Sequence, residues 1–170
     1  LPNLYSLKTD ILIDDRLRDS GIDKFGIRKL EVRGEQLFLN NEAIRVNGFN
    51  RVHDHRLYGN SEPDELIEKD ILDIKSLGGN FSRIMHAPAS KSLVEFCDSI
   101  GYMLIEEIPV WGRGAPNATA NNPITKQWLT EMIEREYNHA SVVGWSVGKE
   151  IGNLDCEWDN MTMTADQFNY

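Results

Sequence analysis

The sequence of 170 residues has little of what several classes of protein require. Two cysteines are too few for the disulfide framework of a small secreted domain. No stretch of about 18 apolar residues occurs, so we expect no membrane-spanning helix. Basic residues are in the minority, with 18 against 27 acidic ones, and the net charge of -9 argues against a nucleic-acid-binding surface.

The first ten residues, LPNLYSLKTD, also lack the features of a natural N-terminus. They include no initiator methionine and neither the basic nor the apolar region of a signal peptide. We therefore expect the sequence to be a segment of a longer protein. The sequence leaves the compartment open, and a periplasmic or extracellular location is compatible with the interpretation developed below.

Residues 1–47 have the pattern of β-strands. Apolar and polar side chains alternate over residues 5–13, which is the period of a half-buried strand. Asp19-Ser20-Gly21 predicts a turn, and Asn40-Asn41 predicts a hairpin turn because asparagine tolerates positive φ. We interpret residues 1–33 as the last strands of a β-sandwich.

Strands and helices alternate in the rest of the chain. The strands are predicted over residues 44–50, 80–85, 102–108 and 142–147. The first intervening helix is predicted to begin at a capping box, Ser61-x-x-Asp64, and Asn122-Pro123 is predicted to cap the third. Such alternation indicates an α/β fold with a parallel sheet covered by helices. Because a TIM barrel has eight such units, we predict that residues 34–170 are its N-terminal half, a partial (β/α)₈ barrel with the first four strands.

Ionisable or aromatic residues follow each of the four predicted barrel strands. In a parallel barrel the carboxyl ends of the strands carry the chemistry. The residues at these ends are Asp54 and His55, then Arg83 and His86, then Glu106, Glu107 and Trp111, and finally Lys149 and Glu150. The strand middles are apolar or small, so we interpret this rim as a functional site rather than as a set of salt bridges between loops.

Several of these segments resemble, in the same order, motifs of glycoside hydrolase family 2, the β-galactosidase and β-glucuronidase family. NFSRIMHAP is similar to its Asn-x-x-Arg-x-x-His-x-Pro motif, EEIPVWG to its third barrel strand, and NHASVVGWSVGKE to its Asn-His-Pro-Ser-Val-x-x-Trp-Ser-x-Gly-Asn-Glu signature. FGIRKLEV with LFLNNEAIRVNGFNRVHDH resembles the junction between its immunoglobulin-like sandwich and its barrel. The resemblance covers residues 1–153 and implies that residues 1–33 belong to such a sandwich.

This resemblance implies a retaining exo-β-glycosidase that hydrolyses terminal β-galactosides or β-glucuronides, with Glu150 as the acid/base. The implied nucleophile belongs to a later strand, to which no residue of this sequence can be assigned. The implied substrate-binding residues are Asp54, His55, Arg83, His86, Glu107, Trp111 and Lys149. No cofactor or metal ion is implied, and the expected partner is a β-linked carbohydrate. Because a half barrel has open strand edges, we also expect the remaining half or another protomer to cover them, and the isolated segment to be inactive.

Lys149 departs from the family pattern, which has asparagine directly before the acid/base. An adjacent cation favours the ionised form of Glu150, whereas an acid catalyst must carry a proton. Two alternatives therefore stay open. In the first alternative, the chain belongs to a catalytically impaired or non-enzymatic relative that binds glycans. In the second, it belongs to a metal-dependent amidohydrolase-like barrel in which His53-x-His55 and Lys149 bind the metal.

Three groups that are not among the implied catalytic or substrate-binding residues are interpreted as structural. The run Glu131-x-x-Glu134-Arg135-Glu136 predicts a solvated helix face. Glu106 is interpreted as the partner of an arginine on the rim, and His139 as a capping or packing residue at a helix end.

Overall fold

The computed structural model describes residues 3–112 and 122–150. It opens with an antiparallel hairpin of β1 (Leu4–Ile13) and β2 (Arg16–Gly26). Asp14 and Asp15 form its turn and both have positive φ, as a tight two-residue hairpin connection requires. The turn predicted at Asp19-Ser20-Gly21 is wrong, because these residues pair with β1 inside β2. Cross-strand pairing has overridden the local turn preference.

A second antiparallel sheet follows, made of β3 (Leu30–Arg33), β4 (Gln36–Leu39) and β5 (Glu42–Ile44). The predicted hairpin turn at Asn40-Asn41 is confirmed, and both residues have positive φ. The predicted boundary between residues 33 and 34 falls in the turn that joins β3 to β4. That division into domains stays a prediction.

The predicted alternation of strands and helices is confirmed in residues 48–146. Four parallel strands lie side by side in chain order, namely β6 (Gly48–Arg51), β7 (Phe81–Ile84), β8 (Met103–Glu107) and β9 (Val142–Ser146). They are connected by α1 (Asp64–Ser76), α2 (Lys91–Ile100) and α3 (Pro123–Glu136). Sequential parallel order is the arrangement of neighbouring strands in a TIM barrel.

The helix boundaries follow local sequence signals in two of these three helices. The Asn122 side chain accepts hydrogen bonds from the backbone N–H groups of Ile124 and Thr125, as predicted. Helix α2 begins after Ser90 and ends at Gly101, whose φ of 69° suits glycine. In α1 the predicted capping box is wrong. Pro63 is the N-cap residue there, and no side chain caps the helix.

The core lies between the parallel sheet and the helices. Its larger cluster packs α1 and α2 onto the sheet through buried side chains that include Ile71, Ile84, Leu93, Leu104 and Val142. Cys97 is a buried free thiol in this cluster, whereas Cys156 lies outside the described residues. A smaller cluster of Ile108, Val110 and Met132 packs α3 onto the end of β8. No helix in the described part of the chain is long and apolar enough to span a membrane.

Candidate active site

The carboxyl ends of the parallel strands meet at one edge of the sheet, and backbone hydrogen bonds hold the segments that follow them together. The N–H of Lys149 donates to the carbonyl of Val110 at 2.9 Å, and the N–H of Gly112 donates to the carbonyl of Lys149 at 3.0 Å. Trp111 and Lys149 form a parallel bridge between these segments. The residues after β8 and β9 are therefore adjacent at the same end of the sheet.

Glu107, the last residue of β8, connects the ends of three strands. Its side chain is 0% exposed. Oε2 accepts hydrogen bonds from Arg83 Nε at 3.0 Å, Arg83 Nη2 at 2.6 Å and Ser146 Oγ at 2.6 Å. Oε1 accepts a hydrogen bond from the backbone N–H of His86 at 2.9 Å. Both oxygens of this buried carboxylate have donors, which offsets the cost of removing it from water.

His86 and Trp111 form the next contact outward. Their rings stack with centroids 4.5 Å apart and planes inclined by 12°. Trp111 remains 56% exposed, so one aromatic surface is open to solvent. The Nε2 atom of His86 is buried and has no hydrogen-bond partner among the described residues. A polar ring atom next to an open aromatic face is an arrangement that suits a polar ligand.

Lys149 and Glu150 complete the group. Lys149 Nζ lies 3.2 Å from Glu150 Oε1 and 3.9 Å from the sulfur of Met85. The two charged side chains are 29% and 32% exposed. This ion pair stands at the same strand ends as Arg83 and His86.

Backbone conformation separates His86 and Glu150 from the other residues of positive φ. Their φ angles are 68° and 53°, and the other non-glycine residues with positive φ in the described chain are aspartates and asparagines in two hairpin turns. A glutamate in this region is uncommon and costs free energy. Such outliers concentrate at functional sites, which is consistent with a site at these strand ends.

Asp54 and His55 follow β6, but their contacts remain within their own loop. His55 stacks on Tyr58 with centroids 5.0 Å apart and accepts a hydrogen bond from the N–H of Leu57. Asp54 is exposed. In the described residues, the structure thus brings together Arg83, His86, Glu107, Trp111, Lys149 and Glu150, and it leaves Asp54 and His55 apart from them.

Arg51 also lies at the end of the first predicted barrel strand, but its burial was not predicted from the sequence. Arg51 Nη2 donates to Glu62 at 2.8 Å and to Asp70 at 3.0 Å, and His53 Nδ1 lies 3.2 Å from the same Glu62 oxygen. These two ion pairs of Arg51 connect β6 to α1 through Asp70 and to the loop before α1 through Glu62. No group of three or more potential ligands among residues 3–112 and 122–150 is arranged to hold a metal ion, which gives the amidohydrolase interpretation no support.

A second ionic cluster lies between β8 and the helices. Glu106 is fully buried, and its Oε2 accepts the N–H of Ala89 at 3.2 Å and lies 3.5 Å from Arg135 Nη2. Burial, and next the negative charge of Glu136, raise the pKa of Glu106 to about 7. The prediction that Glu106 pairs with an arginine on the rim is wrong, because its partner is Arg135 of α3.

The rest of this cluster corrects one prediction and supports another. Glu136 is buried and paired with Arg135, so the predicted solvated face does not include it. His139 Nδ1 lies 2.6 Å from an oxygen of Asp98, which agrees with a packing role. This hydrogen bond is the main reason why the pKa of His139 is raised above its ordinary value.

Two further contributors to the site were missed by sequence reasoning. Ser146 donates to Glu107, and Met85 contacts Lys149. Ser146 lies opposite Glu107 in the register of β9 with β8, which the sequence does not specify. The sequence holds no signal for Met85 either.

Comparison with known proteins gives consistent matches. The model of the TIM barrel domain of glycosyl hydrolases family 2 matches residues 30–168. A β-galactosidase of Thermoanaerobacterium thermosulfurigenes is 32% identical over 170 residues, which cover 99% of this chain and 23% of that protein.

Solved structures agree with these sequence matches. The β-glucuronidase of Parabacteroides merdae superposes with a TM-score of 0.78 at 26% identity, over 96% of this chain and 20% of that one. A β-glucuronidase of Bifidobacterium dentium, complexed with coumarin-3-O-glucuronide, has a TM-score of 0.78 at 28% identity and covers 89% of this chain and 26% of its own. The chain thus spans between a fifth and about a quarter of the length of these relatives.

Proposed function

Because the chain belongs to glycoside hydrolase family 2 and is a fragment of its TIM barrel domain, we propose that it forms part of a retaining exo-β-glycosidase with Glu150 as the acid/base. The relatives are named β-galactosidases and β-glucuronidases, which supports a terminal β-galactoside or β-glucuronide as the substrate. The observation that carries the proposal is the position of Glu150. It directly follows Lys149, whose backbone pairs with Trp111, and this supports a place for Glu150 at the strand ends that carry Arg83 and His86.

The proposed chemistry needs two carboxyl groups about 5–5.5 Å apart in a retaining enzyme. Glu150 first donates its proton to the glycosidic oxygen and later removes a proton from the water that releases the sugar. The second group, the nucleophile, is expected on a later barrel strand. We propose that Arg83 hydrogen-bonds that carboxylate and helps to keep it ionised.

The other residues of the group are proposed to bind and position the sugar. Trp111 offers an open aromatic face, and His86 offers a buried ring nitrogen that has no partner in the described part of the chain. We expect Glu107 to act on the sugar through Arg83 and the backbone of His86, because its own oxygens are buried and occupied. We propose that Asp54 and His55 line the pocket from the loop after β6, although their contacts lie within that loop and not with the other residues of the group.

The surroundings of this half barrel are part of the same proposal. We propose that residues 1–33 are the C-terminal strands of an immunoglobulin-like sandwich and that residues 34–170 begin the catalytic barrel. The β1–β2 hairpin supports this, since it exposes apolar side chains such as Leu7, Ile11 and Ile22 that an unseen sheet would cover. Strands β6 and β9 are the edges of the four-stranded sheet, and we propose that the remaining half of the barrel or another protomer pairs with them.

The test is to assay the complete protein on aryl β-galactosides and β-glucuronides with good and poor leaving groups. Removing a general acid/base costs about 10²- to 10⁴-fold in rate, so Glu150→Gln should lower kcat/KM by this amount on the poor leaving groups. The loss should be smaller with nitrophenyl leaving groups, which need little help from an acid.

Glu134→Gln, on the exposed face of α3, is the matched control and should leave the rates unchanged. Equal rates for Glu150→Gln and the unmodified protein on a poor leaving group would remove Glu150 from the mechanism.

A further inference from the structure

The ammonium group of Lys149 has one ionic partner among the described residues, and that partner is Glu150. Its other close contact is the sulfur of Met85, which is only a weak hydrogen-bond acceptor. The nearby carboxylate of Glu107 is buried and already bonded to Arg83, Ser146 and the backbone of His86. The only ionic partner of Lys149 among the described residues is therefore Glu150, the residue that is proposed to donate the catalytic proton.

This pairing conflicts with acid catalysis on a neutral substrate. Before the first step the acid must be protonated, and a protonated carboxyl group no longer forms an ion pair. Lys149 would then be a half-buried cation beside a thioether, and a bound sugar would shield it further from water. An unpaired cation in such a place is costly, so Lys149 needs another anionic partner whenever Glu150 acts as the acid.

A substrate with its own negative charge removes the conflict. We infer that Lys149 selects β-glycosides that carry an anionic group, a sulfate ester or a carboxylate, next to the scissile bond. Such a group takes the place of Glu150 as the partner of Nζ, so Glu150 can act as the acid without leaving Lys149 unpaired. No covalent bond changes in this exchange of ionic partners. The inference rests on the proposed function, because it assumes that Glu150 is the acid/base.

The position of the anion follows from the geometry. Nζ lies 3.2 Å from Oε1 of Glu150, the carboxyl group that is proposed to protonate the glycosidic oxygen, so an anion that replaces Glu150 as its partner must lie close to that bond. Two places meet this condition, namely a substituent on C2 of the cleaved sugar and an acidic group on the leaving group. Both present the same chemistry to Nζ, and the experiment separates them.

The experiment compares three nitrophenyl β-glycosides of one sugar on the complete protein. One is unsubstituted, one carries a 2-O-sulfate, and one carries a carboxylate on the aryl ring. Close charge pairs contribute about tenfold or more to binding, so we expect kcat/KM to favour one of the two anionic substrates by at least this factor. Lys149→Met, which keeps the chain length but removes the charge, should raise kcat/KM on the neutral substrate and lower it on the preferred anionic one.

Lys126→Met on the exposed side of α3 is the control for loss of a positive charge and should not change the ratio. Equal ratios for the unmodified protein and Lys149→Met would overturn the inference. A nitrophenyl β-glucuronide, whose only charge is the C6 carboxylate, is assayed beside the three substrates. A loss in Lys149→Met that is confined to this substrate would also overturn the inference, because that group is not the neighbour of the scissile bond.

Binding separates this inference from the proposed function. The free 2-O-sulfated and unsulfated sugars are titrated by the fluorescence of tryptophan, since Trp111 is exposed beside the pair. We expect Glu150→Gln to bind the sulfated sugar more tightly than the unmodified protein does, because Lys149 has lost its internal partner. The sulfated sugar and the matching carboxylated aryl alcohol are each titrated against the unmodified protein and against Lys149→Met. The inference is overturned if the two proteins bind each of these ligands with equal affinity. Cleavage that Glu150→Gln does not slow overturns the proposed function instead.

Discussion

Replacing Glu106 by glutamine should change the pH dependence of stability without altering the candidate site. The Glu106 side chain is fully buried, and one of its oxygens, Oε1, has no hydrogen-bond partner among the described residues. Burial and the charge of Glu136 raise its pKa from 4.5 to about 7, against the opposing effects of the Ala89 N–H, Arg135 and His139. Glutamine keeps a carbonyl oxygen for Ala89 and removes the titration.

The size and sign of the effect follow from that pKa. The folded protein holds the Glu106 proton more tightly than the unfolded chain does, so the free energy of unfolding falls as pH rises from about 4.5 to about 7 and is constant above. At about 1.4 kcal/mol per pKa unit, the ionised carboxylate costs on the order of 3 kcal/mol above pH 7. Glu106→Gln should therefore match the unmodified protein in the acidic range and exceed it by up to this amount at alkaline pH.

The assay is the melting temperature of the complete protein between pH 5 and pH 8. For a domain of about 150–250 residues, 1 kcal/mol corresponds to about 2–4 °C, so a gain of several degrees is expected above pH 7. The pKa of His139 is also raised, so its protonation also makes the free energy of unfolding fall as pH rises, but only above its ordinary pKa of 6.5. The slope below that value therefore isolates Glu106. Glu134→Gln is the control, and a difference between Glu106→Gln and the unmodified protein that is the same at pH 5 and pH 8 would refute the reasoning.

Two further predictions concern the fold. Gly48→Ala should destabilise the pairing of β6 with β7 by about 1–3 kcal/mol or more, because an added Cβ would lie 1.7 Å from the carbonyl oxygen of Phe81. Hydrogen exchange at the β7 amides measures this loss of pairing. Gly21→Ala is the control, since no described atom beyond its chain neighbours lies within 4 Å of its added Cβ. Equal protection of β7 in the two variants would contradict the prediction. Asn122→Ala should cost about 1 kcal/mol through the loss of the α3 cap, whereas Asn122→Asp should cost little. Equal exchange in the first turn of α3 for both variants would show that the cap contributes nothing.

The fold was predictable wherever local chemistry determines it. The alternating strand and helix patterns, the Asn40-Asn41 turn and the Asn122 cap are set by residues close in sequence, and the structure confirms them. Prediction failed where a distant contact decides the outcome. Asp19-Ser20-Gly21 has the composition of a turn, yet these residues lie inside β2 because they pair with residues of β1.

The candidate site was predictable as a set of strand ends but not as a set of contacts. Parallel strands bring their carboxyl ends to one edge of the sheet, so the proximity of Arg83, His86 and Glu150 follows from topology. The stacking of His86 on Trp111 and the pairing of Lys149 with Glu150 depend on loop conformations that have no sequence pattern. The burial of Glu136 was also missed, because its charged neighbours in sequence indicate a solvated helix face and do not show that Arg135 pairs with a buried Glu136.

The two glutamates that end β8 show how far the surroundings, rather than the residue type, decide a role. Neighbouring residues of a strand face opposite sides, so Glu107 meets Arg83 and Ser146 at the strand ends, while Glu106 meets Ala89 and Arg135 beneath the helices. Glu107 has donors on both oxygens, whereas one oxygen of Glu106 has no donor within residues 3–112 and 122–150, and the pKa of Glu106 is raised to about 7. Glu107 thus positions the groups around the proposed sugar, and a change there should alter catalysis. The same change one residue earlier should alter only how stability responds to pH.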